Sequence, residues 1–431
     1  MQGLATDNAP SPGVVVPHFI FASISFLVVV VLMLLSASSF TGYFFEPHLL
    51  AVTHAAVLGW GTMIIFGALY QLIPVIFETA LYSERLAKAT FWTFGAGVVM
   101  MVYTFWNNEF STLLVYSASL TFIALMMFLF NIVASTRRAT KKTFLSHFIT
   151  TATYWLGLTA FLALLIALNY KFNFFSQSHL LYLKMHAHMG MAGWFLLLVM
   201  GAAATLIPMF LVSHQMNENK LKFAFYFVNA GLLLLELDWL FLHGTVMLPV
   251  WGLLIATGII FFVSYVGESY KKRLRRNLDV GMKHTMIAVL AMLLPVILGI
   301  TASVSGLNFK PEILWKIIML YGFSIIFFFI TSIILGQTYK TIPFIIWLVK
   351  YKSFVGKTKT PLPKDLYSEK IADIQLYFYI ASIPVFIAGI IAGSEIIFET
   401  GAVLLLITAV LYNINVFKIV FHKSHIENEN T

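Results

Sequence analysis

The chain contains no cysteine. Disulfides, thiolate ligands, cysteine-held iron–sulfur clusters and thioether-attached haem are therefore excluded, and any metal must be held by histidine, methionine, tyrosine or carboxylate. Charge is scarce too: Asp, Glu, Lys and Arg make up 10% of 431 residues, against 60% hydrophobic residues and a mean hydropathy of +0.89. So few charges cannot cover the surface of a water-soluble globule, and the composition specifies an integral membrane protein. A basic run ahead of the first apolar segment is missing as well, so that segment reads as a retained span rather than a cleaved leader.

What is present is apolar sequence in lengths that match a bilayer core. Twelve segments qualify, near 15–37, 48–76, 89–107, 112–134, 147–168, 180–211, 222–242, 246–267, 285–304, 312–337, 373–393 and 398–420. Of the 27 Lys and Arg residues, all but Lys171, Lys184, Lys310 and Lys316 fall before or after spans on one side. The positive-inside rule makes that side cytoplasmic and places both termini there. The net charge of +9 is thus a topology signal and a contact with anionic lipid, not a footprint for nucleic acid. Residues 1–16 and 422–431 read as cytoplasmic tails flanking one membrane domain, 17–421. The basic, Pro-containing connector 340–372 reads as lying along the membrane surface. His18 reads as interfacial, and His284 as part of the cytoplasmic loop 268–284.

Three spans share one frame. In 48–76, His54, Trp60, Gly67 and Pro74 fall at offsets 0, 6, 13 and 20; in 180–211, His188, Trp194, Gly201 and Pro208 repeat those offsets. In 312–343, GQTYKTIP from Gly336 matches GALYQLIP from Gly67 at Gly, Tyr, Ile and Pro, which puts Tyr321 and Phe323 where the second copy has His186 and His188. Spans two, six and ten are therefore related. The fold class is all-α, with about twelve transmembrane helices in three pseudo-threefold groups of four. The glycines permit close helix approach, and the prolines are expected to end each helix frame.

The histidines carry the chemistry. An ionisable or metal-binding residue inside a bilayer is costly, so His54, His186 and His188 read first as ligands and second as core histidines bonded to a neighbouring carbonyl. Residues two apart on a helix point about 200° apart, so His186 and His188 serve two different sites. One can face His54, and a histidine from each of two helices is a natural axial pair for haem iron. Weaker metal candidates are Tyr321 on span ten and Glu236 and His243, the last two seven apart and so on one face of span seven, where they could equally form a proton path or an outer cap. Lys184 and Lys316 could pair with haem propionates or snorkel to the interface. Met185, Met189 and Met191 read as packing.

Twelve spans in three groups of four, with a histidine in the outer part of span two and the pattern HxH…GW…G…LIP, resemble the catalytic subunit of the haem–copper oxidases. The pattern is most similar to divergent members labelled cbb3-type subunit I and to related haem-and-copper proteins of the nitric oxide response. In that family spans two and ten supply the axial histidines of a low-spin haem, span ten the ligand of a second haem, and spans six and seven three histidines to copper. Carried over, His54 matches the span-two ligand, and His186 or His188 the copper position on span six. Tyr321 and Phe323 stand where span ten should have its histidines, span seven lacks an adjacent histidine pair, and no arginine pair lies between spans eleven and twelve. The ordinary two-haem and copper centre cannot be assembled from these residues. Rotating the threefold frame by one group gives another arrangement: His188 with His54 as the axial pair of one b-type haem, and His186 facing copper or a second cofactor, with Tyr321 near its path.

The resemblance thus implies a haem b protein, with copper as a further cofactor, in respiratory electron transfer or nitric oxide or oxygen handling. It also implies a multi-pass bacterial inner-membrane protein, with cytochrome c or quinol as electron donor and other oxidase-type subunits as partners. The missing span-ten ligands leave enzyme activity of the cytochrome c oxidase or nitric oxide reductase type open. Two alternatives stand beside it: a non-enzymatic haem or copper sensor, carrier or assembly factor, and a cofactor-free transporter.

Overall fold

In the computed structural model, residues 8–139, 143–244, 246–305 and 309–424 are described. The outer parts of the expected tails, 1–7 and 425–431, and Lys141 and Lys142 of a basic connector lie outside them. Among the described residues the secondary structure is helical throughout, and twelve helices are long and apolar enough to cross a membrane. They are α1 (Pro12–Leu35), α2 (Pro47–Phe77), α3 (Glu84–Trp106), α4 (Thr112–Arg137), α5 (Phe144–Phe172), α6 (His179–Leu211), α7 (Asn219–Leu242), α8 (Leu248–Lys271), α9 (Val280–Val304), α10 (Pro311–Phe354), α11 (Glu369–Ala392) and α12 (Glu395–Val420). The protein is a multi-pass membrane protein. Residues such as Leu233, Leu237 and Leu240 on α7 are exposed and apolar, as a lipid-facing surface requires.

The three related helices α2, α6 and α10 are the most buried of the twelve and line the centre. Each carries a wide π-helical turn at the same register: Ala55–Thr62, Met189–Leu196 and Ser324–Ile330, beginning directly after His54, His188 and Phe323. Side chains knit these turns in a circuit. The Trp60 indole donates to the Thr331 hydroxyl, and the Trp194 indole to the Thr62 hydroxyl, both at 3.3 Å. Thr62 and Thr331 are frame equivalents. The third corner of the circuit replaces the polar pair with Phe329 and Leu196, both buried.

The repeat extends beyond these helices. Its glycines lie against the first helix of each group: a Cβ on Gly67 would meet the Cβ of His18 at 2.8 Å, on Gly201 that of Phe148 at 2.6 Å, and on Gly336 that of His284 at 2.9 Å. His18, Phe148 and His284 are thereby equivalent. In the first and third groups an asparagine of the fourth helix clamps the backbone at the start of the third. Asn131 accepts from the Ser83 N–H (3.1 Å) and donates to its carbonyl (2.9 Å); Asn415 does the same to Ser368 at 2.9 and 3.2 Å. Those serines also cap α3 and α11 through their hydroxyls.

Two expectations change. The frame prolines do not end their helices: Pro74, Pro208 and Pro343 lie inside them. A proline frees the carbonyl four residues back, and at Ala204 the Tyr265 hydroxyl takes that place at 3.2 Å. The connector 340–372 shortens, because α10 runs on to Phe354 and carries Lys340 and Lys350 within it. The N-terminal tail is anchored where it enters α1, the Ser11 N–H and hydroxyl donating to the Glu84 carboxylate at 2.8 and 2.6 Å.

Candidate functional site

His54, His186 and His188 all lie at the end of the bundle opposite the basic loops, just before the π turns of α2 and α6. Their δ nitrogens are tethered to carbonyls: His54 to Leu50 (2.8 Å), His188 to Lys184 (2.8 Å) and His186 across to Thr159 on α5 (3.1 Å). A carbonyl only accepts, so each δ nitrogen carries the proton and each ε nitrogen keeps its lone pair. This is the tautomer a metal-binding imidazole needs, fixed by the partner on its other nitrogen.

Their pairing follows a rule of the threefold frame. Each repeat helix offers two positions, Val52 and His54, His186 and His188, Tyr321 and Phe323. The second position of one helix faces the first of the next. His54 faces His186, the rings parallel within 11° and their centres 6.5 Å apart. His188 faces Tyr321, whose hydroxyl donates to its ε nitrogen at 3.1 Å, with the Trp239 ring 4.8 Å away on α7. The third corner, which rotation assigns to Phe323 and Val52, is filled by Phe40, Phe323, Phe386 and Phe398 in mutual ring contact.

This corrects the pairing expected from sequence. His54 meets His186, not His188, and Tyr321 meets His188, not His186. Residues 186 and 188 do point to opposite sides of α6, but periodicity alone could not say which side faces α2. Glu236 and His243 also part. Five residues from Asp238 to Leu242 form a π turn that rotates the end of α7, and His243 follows in a left-handed conformation (φ 59°) on the exposed surface. Glu236 stays buried at 5% exposure. Lys316 donates to the Ile391 carbonyl at 2.8 Å, and Lys184 is exposed.

Sequence reasoning passed over two histidines. His18 and His284, read as interfacial and as a loop residue, are wholly buried within α1 and α9. Their repeat equivalence, with phenylalanine in the third place, was the signal available; differing loop lengths concealed it.

The surroundings of the His54–His186 pair are apolar and aromatic. Phe105 packs against His54 at 4.6 Å between ring centres, within a cluster of Ala51, Met101, Leu114, Ala118 and Ala167. Metal–imidazole bonds of about 2.0–2.1 Å would set two ring centres roughly 6.3 Å apart across one ion. The 6.5 Å between the His54 and His186 ring centres matches that spacing. Among the described residues no three His, Asp or Glu come close enough to form a metal cluster. The donor set therefore fits an ion that brings its own equatorial ligands, as a haem iron does, and does not fit a three-histidine copper centre.

Fold and site together define a multi-pass helical membrane protein with a threefold repeat and a paired-histidine corner. No family model matches the chain. A segment of 56 residues is 38% identical to the cbb3-type cytochrome c oxidase subunit CcoN1 of Stutzerimonas stutzeri, covering 13% of this chain and 12% of that protein. The chain is similar to an oxidase subunit over that stretch.

Proposed function

We propose that the protein binds one b-type haem between α2 and α6, with His54 and His186 as its axial ligands, and works in respiratory electron transfer or in handling nitric oxide or oxygen. The observation that carries this reading is the parallel histidine pair at 6.5 Å, each δ nitrogen held by a backbone carbonyl. The partial similarity to an oxidase subunit supports it. When bound, the haem would supply one-electron chemistry. The residues themselves fix the ring planes, exclude water with Phe105 and its neighbours, and set each imidazole's tautomer through its δ N–H. Electrons would come from another protein or from quinol.

A second reading is favoured by one observation: the corner formed by Phe323 is filled with phenylalanine rings, and Tyr321 already engages His188. A single six-coordinate haem with no open neighbour suits a sensor, carrier or assembly factor as well as an enzyme. The test is a reduced-minus-oxidised spectrum with a pyridine haemochrome assay on purified protein. His54→Ala and His186→Ala should each abolish the b-type signal, while His188→Ala should leave haem content unchanged. Haem retained in both of the first two variants, or lost only in His188→Ala, refutes the assignment. Turnover with nitric oxide or oxygen separates the enzyme from the carrier.

A further inference from the structure

The second corner, formed by α6, α7 and α10, holds a group that the haem reading does not use. Along α7 the residues Phe225, Asn229, Leu232, Glu236 and Trp239 form one stripe, and its contacts fix its direction. Phe225 packs on Phe148 of α5 with ring centres 5.0 Å apart. Asn229 accepts from the Trp155 indole of α5 at 3.0 Å. Trp239 packs on His188 of α6. Glu236 lies between Asn229 and Trp239 on this stripe and so faces α6, one turn from the level of the His188–Tyr321 bond.

Both carboxyl oxygens of Glu236 are buried and have no hydrogen-bond partner among the described residues. The groups around it offer no positive charge. Asp238 belongs to the stripe facing α8, where it accepts from the Trp251 indole at 2.9 Å. The contact segment of α8 presents Trp251, Ile255 and Gly258. Of the titratable groups on α6 and α10, those at this corner are His188 and Tyr321, already bonded to each other, while Lys184, one turn before His188, is exposed. An ionised carboxylate without a partner in such surroundings is among the most unfavourable arrangements a bilayer protein can contain. Protonation removes the charge at much lower cost. A leucine would fill the same space with no cost at all, so the acid is explained by what it can carry.

We propose that Glu236 is a proton-holding site: a carboxylic acid that stays neutral at neutral pH inside the α6–α7–α10 corner. This protonation state stands independently of the haem reading.

The test is labelling of the full-length protein by the lipid-soluble dicyclohexylcarbodiimide, which attacks protonated carboxyls in apolar surroundings, read by peptide mass spectrometry. The expected result is one adduct at Glu236, weakening as pH is raised, absent from Glu236→Gln and absent at Asp238. The infrared spectrum of the unsubstituted protein should show a protonated-carboxyl band at neutral pH that Glu236→Gln lacks. Neither adduct nor band would overturn the proposal. So would labelling suppressed by sodium or potassium at constant ionic strength, which would make a metal ion the occupant. Labelling equal in haem-replete and haem-free preparations is expected, so failure of the haem assignment would leave this result intact.

Discussion

Substituting Gly336 by alanine tests the repeat where it is tightest. A Cβ there would stand 2.5 Å from the Gly281 carbonyl oxygen, 2.9 Å from the His284 Cβ and 3.1 Å from the Thr285 hydroxyl. The first two atoms are set by the backbone of α9, so no side-chain rotation relieves the clash, and α9 and α10 must part. Overpacking of this kind costs about 1–3 kcal/mol. Gly322, on the same helix, is the internal comparison, because nothing lies within 4 Å of its added Cβ. There alanine should gain up to about 1 kcal/mol from helix propensity. The two variants should therefore differ by about 1–4 kcal/mol. The assay is the fraction of monodisperse protein remaining after heating in detergent, as a function of temperature. Gly67→Ala and Gly201→Ala should behave like Gly336→Ala. A midpoint for Gly336→Ala equal to or above that of Gly322→Ala would refute the claim that the frame glycines set the helix spacing.

Other outcomes follow from single contacts. Asn131→Leu and Asn415→Leu should each cost about 1–3 kcal/mol by leaving a serine N–H unpaired, the serine carbonyls keeping the Ala87 and Ala372 N–H groups, and thermal midpoints should show both variants destabilised. Tyr265→Phe should cost about 1 kcal/mol by removing the donor to the Ala204 carbonyl that Pro208 orphans. Burial opposes ionisation of Asp279, but the Lys340 ammonium bonded to it outweighs burial, aided by the Met282 N–H and Arg275, so its carboxyl titrates below its ordinary 3.8. The stability this group contributes is therefore present above that value and is lost as pH falls through the lower, folded value. Denaturation between pH 5 and 2, about the range where such carboxylates titrate, should lose part of its acid sensitivity in Asp279→Asn.

Much of the fold was legible because a bilayer makes few demands and states them strongly. Twelve apolar runs and the asymmetry of Lys and Arg give the helix count, and His, Trp, Gly and Pro at fixed offsets give the threefold grouping. The positions of His54, His186 and His188 at one level follow from the same offsets. Which histidine meets which was not legible. Two residues apart on α6 guarantees opposite directions, but the rotation of α6 about its own axis is set by packing at Gly193 against Trp155 and Gly201 against Phe148, contacts between residues remote in sequence. The π turn that separates Glu236 from His243 has no signature in ELDWLFLHG. Pro343 misled for a related reason: the helix-stopping effect of proline belongs to water, and a membrane helix with neighbours to receive the freed carbonyl continues through it.

The three π turns carry a further consequence. Each is a local excess of one residue over regular helix, and all three occur directly after the same frame position. Removing the excess from one helix alone would turn everything beyond it by about 100°, misaligning Gly67, Gly201 or Gly336 against its neighbour. Each turn is therefore held in place by its own glycine contact, Gly67 on α1, Gly201 on α5 and Gly336 on α9. One register thus serves three unlike corners: a histidine pair, a tyrosine-bound histidine and a phenylalanine plug.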